Sequence, residues 1–282
     1  IFGISGWIFE ILRWMASLAY TVISALYAAK LIRYPQAFKS EFSHPVRVNF
    51  FATFSVSTLL IAALWKDFTP VYDVLFYVGI VFQGIISLYV VSFWIKNNIL
   101  ISHSNPAWFI PIVGNLLVPL AAPAGSELAW YYFGVGIFFW PVLFAVLFYR
   151  IIFHDQMPQK FIPTLFIVIA PPAMAFLDYT KLTANFDAPA KIMLYVTLFF
   201  ALLILFMFKS FLRLKFFLSW WAFTFPTAAI CVAVLRAYEI SRNDIFAILG
   251  IMFFAMLCVM IAIIGTATIK NILRGEICKS EM

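Results

Sequence analysis

The chain has 282 residues, of which 65% are hydrophobic and only 11% charged, with a formal net charge of +7. No soluble core of this size absorbs so much apolar sequence; repeated apolar runs of about 20 residues specify an all-α polytopic membrane protein, and their lack of apolar–polar alternation argues against a β-barrel. Cys231, Cys258 and Cys278 are too scattered for a CxxC motif or a disulfide framework, and basic residues concentrated in loops set orientation rather than bind nucleic acid.

Nine spans are expected, over residues 8–32, 46–65, 71–95, 106–124, 128–149, 161–178, 190–208, 215–236 and 245–269. Residues 1–6, with Gly3 and Gly6, read as the tail of a preceding element. The connections are short, so neighbouring spans should pack as antiparallel hairpins. With no separate soluble stretch, residues 1–282 are expected to form a single transmembrane channel domain. Thirteen of the nineteen Lys and Arg residues fall on one side of the expected topology, among them Lys30, Arg47, Lys96, Lys209 and Lys279. Arg13, Lys66, Lys181, Lys191, Arg236 and Arg242 fall on the other. This bias places the C-terminus in the cytoplasm. The start of the chain is then outside, and one earlier span, absent here, would return the N-terminus to the cytoplasm.

The prolines hint at an internal repeat. Pro45, Pro106 and Pro163 open alternate spans at steps of 61 and 57 residues, and one further step reaches the 215–236 span. Pro111, Pro119, Pro171, Pro172 and Pro226 lie inside spans of this set, against Pro141 alone in the middle of the others. Proline removes an N–H and collides with the carbonyl four residues back. Such breaks are tolerated in a membrane where protein or water satisfies the freed carbonyl. An inner ring of kinked pore helices inside an outer ring of straight ones is therefore expected; accidental proline placement is the alternative.

Within the 219–230 stretch, Pro226 interrupts an apolar run and Phe225 stands directly before it. A rigid ring at a kink suits the gate of a narrow pore, while lipid-facing filler is the plainer reading. Phe223 belongs on a different face and should serve as a control. In His44-Pro45-Val46-Arg47-Val48-Asn49-Phe50-Phe51, Arg47 and Asn49 lie near a cytoplasmic helix start. Arg47 either faces a mouth and attracts anions or snorkels to headgroups. Asn115, in the broken 105–119 stretch, either lines the conduit or bonds a carbonyl freed by Pro119. Lys209, Arg213 and Lys215 form a basic cluster that either funnels anions or fixes topology. No Asp or Glu is expected near the middle of a span, and Gln83 is the one other amide well inside a run. His44, His103 and His154 fall in loops without metal-ligand spacing, and no nucleophile–base–acid set shares a depth. No metal, cofactor or enzymatic activity is expected. Basic mouths without an acidic midpoint favour anions.

The stretches 44–51, Asn105-Pro106 through Val113-Gly114-Asn115, and Trp220-Trp221-Ala222-Phe223-Thr224-Phe225-Pro226 resemble the tellurite-resistance/dicarboxylate transporter family. That family includes bacterial TehA proteins and the slow-type anion channels of plant guard cells. The resemblance implies ten helices in five hairpins, the odd helices forming a central pore, and three protomers assembled as a trimer with one pore each. It implies that Phe225 is the occluding phenylalanine and that Arg47 is a basic residue at the cytoplasmic mouth. The function it implies is a passive channel for small inorganic or organic anions in a bacterial inner membrane. The alternative is a proton-coupled C4-dicarboxylate or tellurite transporter.

Overall fold

The computed structural model describes residues 6–276; Gly3, Cys278 and Lys279 lie outside the described residues. The α-helices run α1 (Gly6–Arg33), α2 (Pro35–Phe42), α3 (Ala52–Leu64), α4 (Thr69–Lys96), α5 (Phe109–Val113), α6 (Leu117–Ala121), α7 (Glu127–Phe153), α8 (Ala170–Thr183), α9 (Ala188–Phe206), α10 (Phe208–Leu212), α11 (Thr224–Ser241) and α12 (Asp244–Leu273). Five 3-10 segments of three residues or more interrupt or open the spans: Arg47–Phe51, Pro106–Trp108, Gly114–Leu116, Gln159–Ile169 and Leu218–Phe223. The fold is that of an all-α polytopic membrane protein, with eight helical stretches long and apolar enough to cross a bilayer among the described residues. The ninth expected span, 106–124, is a shorter apolar run over Pro106–Ala121 made of alternating 3-10 and α pieces. Helices α2 and α10 fall where loops were expected, because each is too short to carry a readable period.

The expected alternation appears as a difference in helix type. Spans α1, α4, α7, α9 and α12 are uninterrupted α-helices, whereas each intervening span begins as 3-10 helix and then becomes α. A 3-10 run of eleven residues, Gln159–Ile169, is far longer than usual. The interior prolines mark the changes of type. Pro111 is the third residue of α5, Pro119 the third of α6, Pro171 the second of α8 and Pro226 the third of α11. The first N–H groups of an α-helix lack an intrahelical acceptor, so proline there sacrifices no hydrogen bond. Pro226 therefore does not break the middle of a continuous α-helix, as its position in the apolar run suggested. Polar side chains cover the carbonyls left over: Thr224 Oγ1 donates to Trp221 O at 2.8 Å and Asn115 Nδ2 to Ile112 O at 2.7 Å. Pro141 lies inside the uninterrupted α7.

The chain packs as two compact units, 1–150 and 151–282. In the first, every residue of the 106–121 span except Ile110 and Leu120 is buried, while α1 buries none. In the second, the 159–183 span is the most buried and α12 the least.

Three hairpins share a packing device. Leu59 of α3 fills the space over Gly79 of α4, Leu116 that over Gly136 of α7, and Leu235 of α11 that over Gly250 of α12. A Cβ added at Gly136 would stand 2.6 Å from Leu116 Cδ2. Small residues that admit close approach are a main source of helix association where no hydrophobic drive exists. Gly136→Ala should therefore overpack the hairpin and cost about 1–3 kcal/mol. Adding Leu116→Ala should return part of that loss in a thermal unfolding assay in detergent. Strictly additive effects of the two changes would show that the residues do not meet.

Candidate functional site

In the first unit, two interrupted spans begin side by side, and their starts carry polar residues. His44 Nδ1 accepts from the Val46 N–H at 3.1 Å and the Arg47 N–H at 3.3 Å, capping the Arg47–Phe51 segment. Burial, then the charges of Arg47 and His103, lowers the pKa of His44, which keeps it in the neutral form that accepting requires. Arg47 is exposed and has no ion pair among the described residues, so its charge is presented to its surroundings. Asn49 is fully buried. Its amide nitrogen donates to Pro45 O at 3.0 Å and Val46 O at 3.2 Å, and Oδ1 has no partner. Asn49 thus holds the segment start and does not reach a surface.

Asn115 lies at the centre of a polar knot that the sequence reading did not anticipate. The chain becomes 3-10 at Gly114, which leaves Pro111 O without its α-helical donor. Gln83 of α4 supplies one, Nε2 donating to Pro111 O at 2.8 Å, with Asn115 Oδ1 at 3.3 Å. Ser55 of α3 donates to Gln83 Oε1 at 2.7 Å. Ser87 Oγ stands 2.9 Å from Pro111 O and 3.2 Å from Asn115 Oδ1, either of which can take its single hydrogen. All four polar residues are buried. Gly114 permits the approach: a Cβ there would meet Val56 Cγ2 at 2.9 Å and the Gln83 amide nitrogen at 3.3 Å. Of the two readings of Asn115, the geometry has it bonding backbone carbonyl and amide neighbours; the carbonyl is that of Ile112. At the far end of this span, Tyr72 donates to Ala121 O at 3.0 Å and Lys66 to Ala122 O at 3.5 Å.

In the second unit, Phe223 and Phe225 have different surroundings. Phe223 closes the Leu218–Phe223 segment, is 7% exposed, and packs on Phe166, Trp220 and Phe211 at 4.5, 5.7 and 5.8 Å between ring centroids. Phe225 is the second residue of α11, only partly buried, with no ring partner among the described residues. The spacing of two placed the rings on different faces but could not say which face is packed. Phe223→Ala is consequently a test of packing and not the neutral control that the sequence suggested. Pro171 and Pro172 are buried at the start of α8. Lys209, Arg213 and Lys215 are exposed.

Asp178 lies near the far end of an interrupted span. The sequence reading ended the 161–178 span at this residue, whereas α8 continues to Thr183. Asp178 is fully buried, and neither carboxyl oxygen has a hydrogen-bond partner. The acidic group is thus inside the span but away from its middle, and what the tertiary structure adds is its complete burial.

A family model described as SLAC1, voltage-dependent anion channel, matches residues 3–269. The chain is 28% identical over 233 residues to the S-type anion channel SLAH2 of Arabidopsis thaliana, covering 80% of this chain and 45% of that protein. It is 29% identical over 236 residues to the guard cell S-type anion channel SLAC1 of the same plant, with 80% and 42% covered. The tellurite resistance protein TehA homolog of Haemophilus influenzae is 25% identical over 285 residues, with 98% and 85% covered. The chain spans less than half the length of the two plant relatives.

Proposed function

The chain belongs to the SLAC1 family of voltage-dependent anion channels, and on that premise we propose that it is a passive anion channel whose conduit is occluded by Phe225. The observation that carries this reading is the contrast at the start of α11: Phe223 is locked in an aromatic cluster, while Phe225 is partly exposed beside a change of helix type. A ring outside such a cluster can turn aside at smaller cost than one held within it. The exposed charges of Arg47, Lys209, Arg213 and Lys215 raise the local concentration of small inorganic and organic anions. The anion then sheds part of its hydration at an apolar constriction that gates by excluding water. In this reading the chain is one channel domain, three protomers form a trimer with a conduit each, and the C-terminus faces the cytoplasm of a bacterial inner membrane.

Arg47 acts in this scheme by its field. Arg47→Ala should lower conductance mainly in dilute salt, where the screening length is about 30 Å at 0.01 M, and little near 1 M, where it is about 3 Å. Equal loss at both salt concentrations would instead make Arg47 a structural residue. Planar-bilayer recording of the purified protein tests the channel itself: macroscopic anion currents that do not saturate with voltage are expected.

Asp178 favours one other reading, a proton-coupled carrier of dicarboxylates or oxyanions. Carboxyl groups buried in membrane segments commonly serve proton relays in such carriers. The two readings separate on one variant. In a channel, Asp178→Asn leaves anion current largely intact; in a carrier, it abolishes uptake driven by a pH gradient in liposomes.

A further inference from the structure

A cavity of about 460 Å³ opens where α4 ends and the chain turns toward the 106–121 span. Trp94 of α4 and Trp108 border it, their rings stacked 4.8 Å apart between centroids and 15° from parallel. Trp108 is 8% exposed, and the indole N–H of each ring is buried without an acceptor. Buried indole donors ordinarily find a partner, so two of them stranded side by side at a cavity need an acceptor from outside the chain. The Asn97 amide nitrogen gives one hydrogen to Phe93 O at 2.8 Å and keeps the other. Leu100 and Val146 contribute aliphatic wall, and Asn98 adds an amide.

Depth selects the ligand. The 28 residues of α4 extend about 42 Å, more than the roughly 30 Å of hydrocarbon, so the end of α4 at Lys96 reaches the headgroup region. The molecule present there that carries several acceptors and few donors, joined to an apolar tail, is a phospholipid. Its size class matches, since small-ligand cavities run to about 300–1,000 Å³. We infer that this cavity is a phospholipid site, in which an ester or phosphodiester oxygen accepts from the Trp94 and Trp108 indoles and an acyl chain lies along Leu100 and Val146. The site is independent of whether the protein conducts or carries anions.

The test is native mass spectrometry of the full chain in detergent with added palmitoyl-oleoyl phosphatidylglycerol. Trp94→Phe combined with Trp108→Phe keeps the stacked rings and removes both donors. Its lipid retention should fall about tenfold relative to wild type, as expected for two lost hydrogen bonds. Val146→Trp, which fills the cavity and leaves both indoles in place, should lose the same lipid, and it decides the matter where the double variant folds poorly. Retention equal to wild type in a folded variant of either kind overturns the site. Displacement of the lipid by millimolar glycerol phosphate, which has the headgroup chemistry without acyl chains, would assign the cavity to a soluble phosphate and overturn the lipid.

Discussion

Replacing Phe225 by alanine should raise anion conductance in reconstituted membranes well above wild type, with the yield of folded protein unchanged. An aromatic ring across a narrow conduit excludes water, and an ion passing it must give up hydration that nothing there replaces. Each 1.4 kcal/mol removed from that barrier increases the rate about tenfold, so even a partial opening is measurable. The packing alternative has the opposite sign. Truncating a buried phenylalanine costs about 3–5 kcal/mol, which would reduce folded protein and current together. Phe223→Ala is expected to behave that way, because its ring touches Phe166, Phe211 and Trp220. Phe225 has no such cluster, and its removal should be tolerated. Current is to be normalised to folded protein at the membrane. A well-folded Phe225→Ala protein that conducts no better than wild type removes Phe225 as the gate.

Gln83→Glu should be among the most destabilising single-atom changes in the first unit, and more so than Gln83→Met. Gln83 gives its amide hydrogens to Pro111 O and Asn115 Oδ1 and takes one from Ser55. Glutamate has the same shape, but ionised it sets acceptor against acceptor at Pro111 O, and it can donate there only after taking up a proton against its ordinary ionisation. Methionine only withdraws the bonds. Leaving a buried polar group unmet costs about 1–3 kcal/mol, and facing it with a like partner adds to that. Interhelical hydrogen bonds in membranes average about 0.6 kcal/mol, so Gln83→Met should lie nearer 1 than 3 kcal/mol. Thermal unfolding of both variants in detergent measures the difference. Equal stability of the two would mean that Gln83 does not hold the 3-10 turn at Gly114.

The family resemblance was legible in three short stretches, and the comparisons place the chain in that family over residues 3–269. The proposed gate rests on the resemblance and not on the local residues, since Phe223 and Phe225 are the same side chain two positions apart. Gln83 could have drawn attention as an amide inside an apolar run, but its partners Ser55, Pro111 and Asn115 are 28 to 32 residues away.

The sequence by itself determined the membrane class and the nine apolar runs, because hydropathy over about twenty residues is a local sum. It also determined which runs are irregular, since proline acts on its own backbone and the preceding turn. The tertiary structure alone decided that those irregularities are 3-10 starts with proline in the first α turn. The choice rests on whether a partner across the hairpin, such as Gln83 for Pro111 O, is present to satisfy the carbonyl that the tighter helix leaves over. It alone buried Asp178, drew Phe223 and not Phe225 into an aromatic cluster, and set Leu59, Leu116 and Leu235 over glycines. Each of these depends on which side chain another helix presents at that height, and that is fixed by close packing between segments distant in the chain, not by the composition of either.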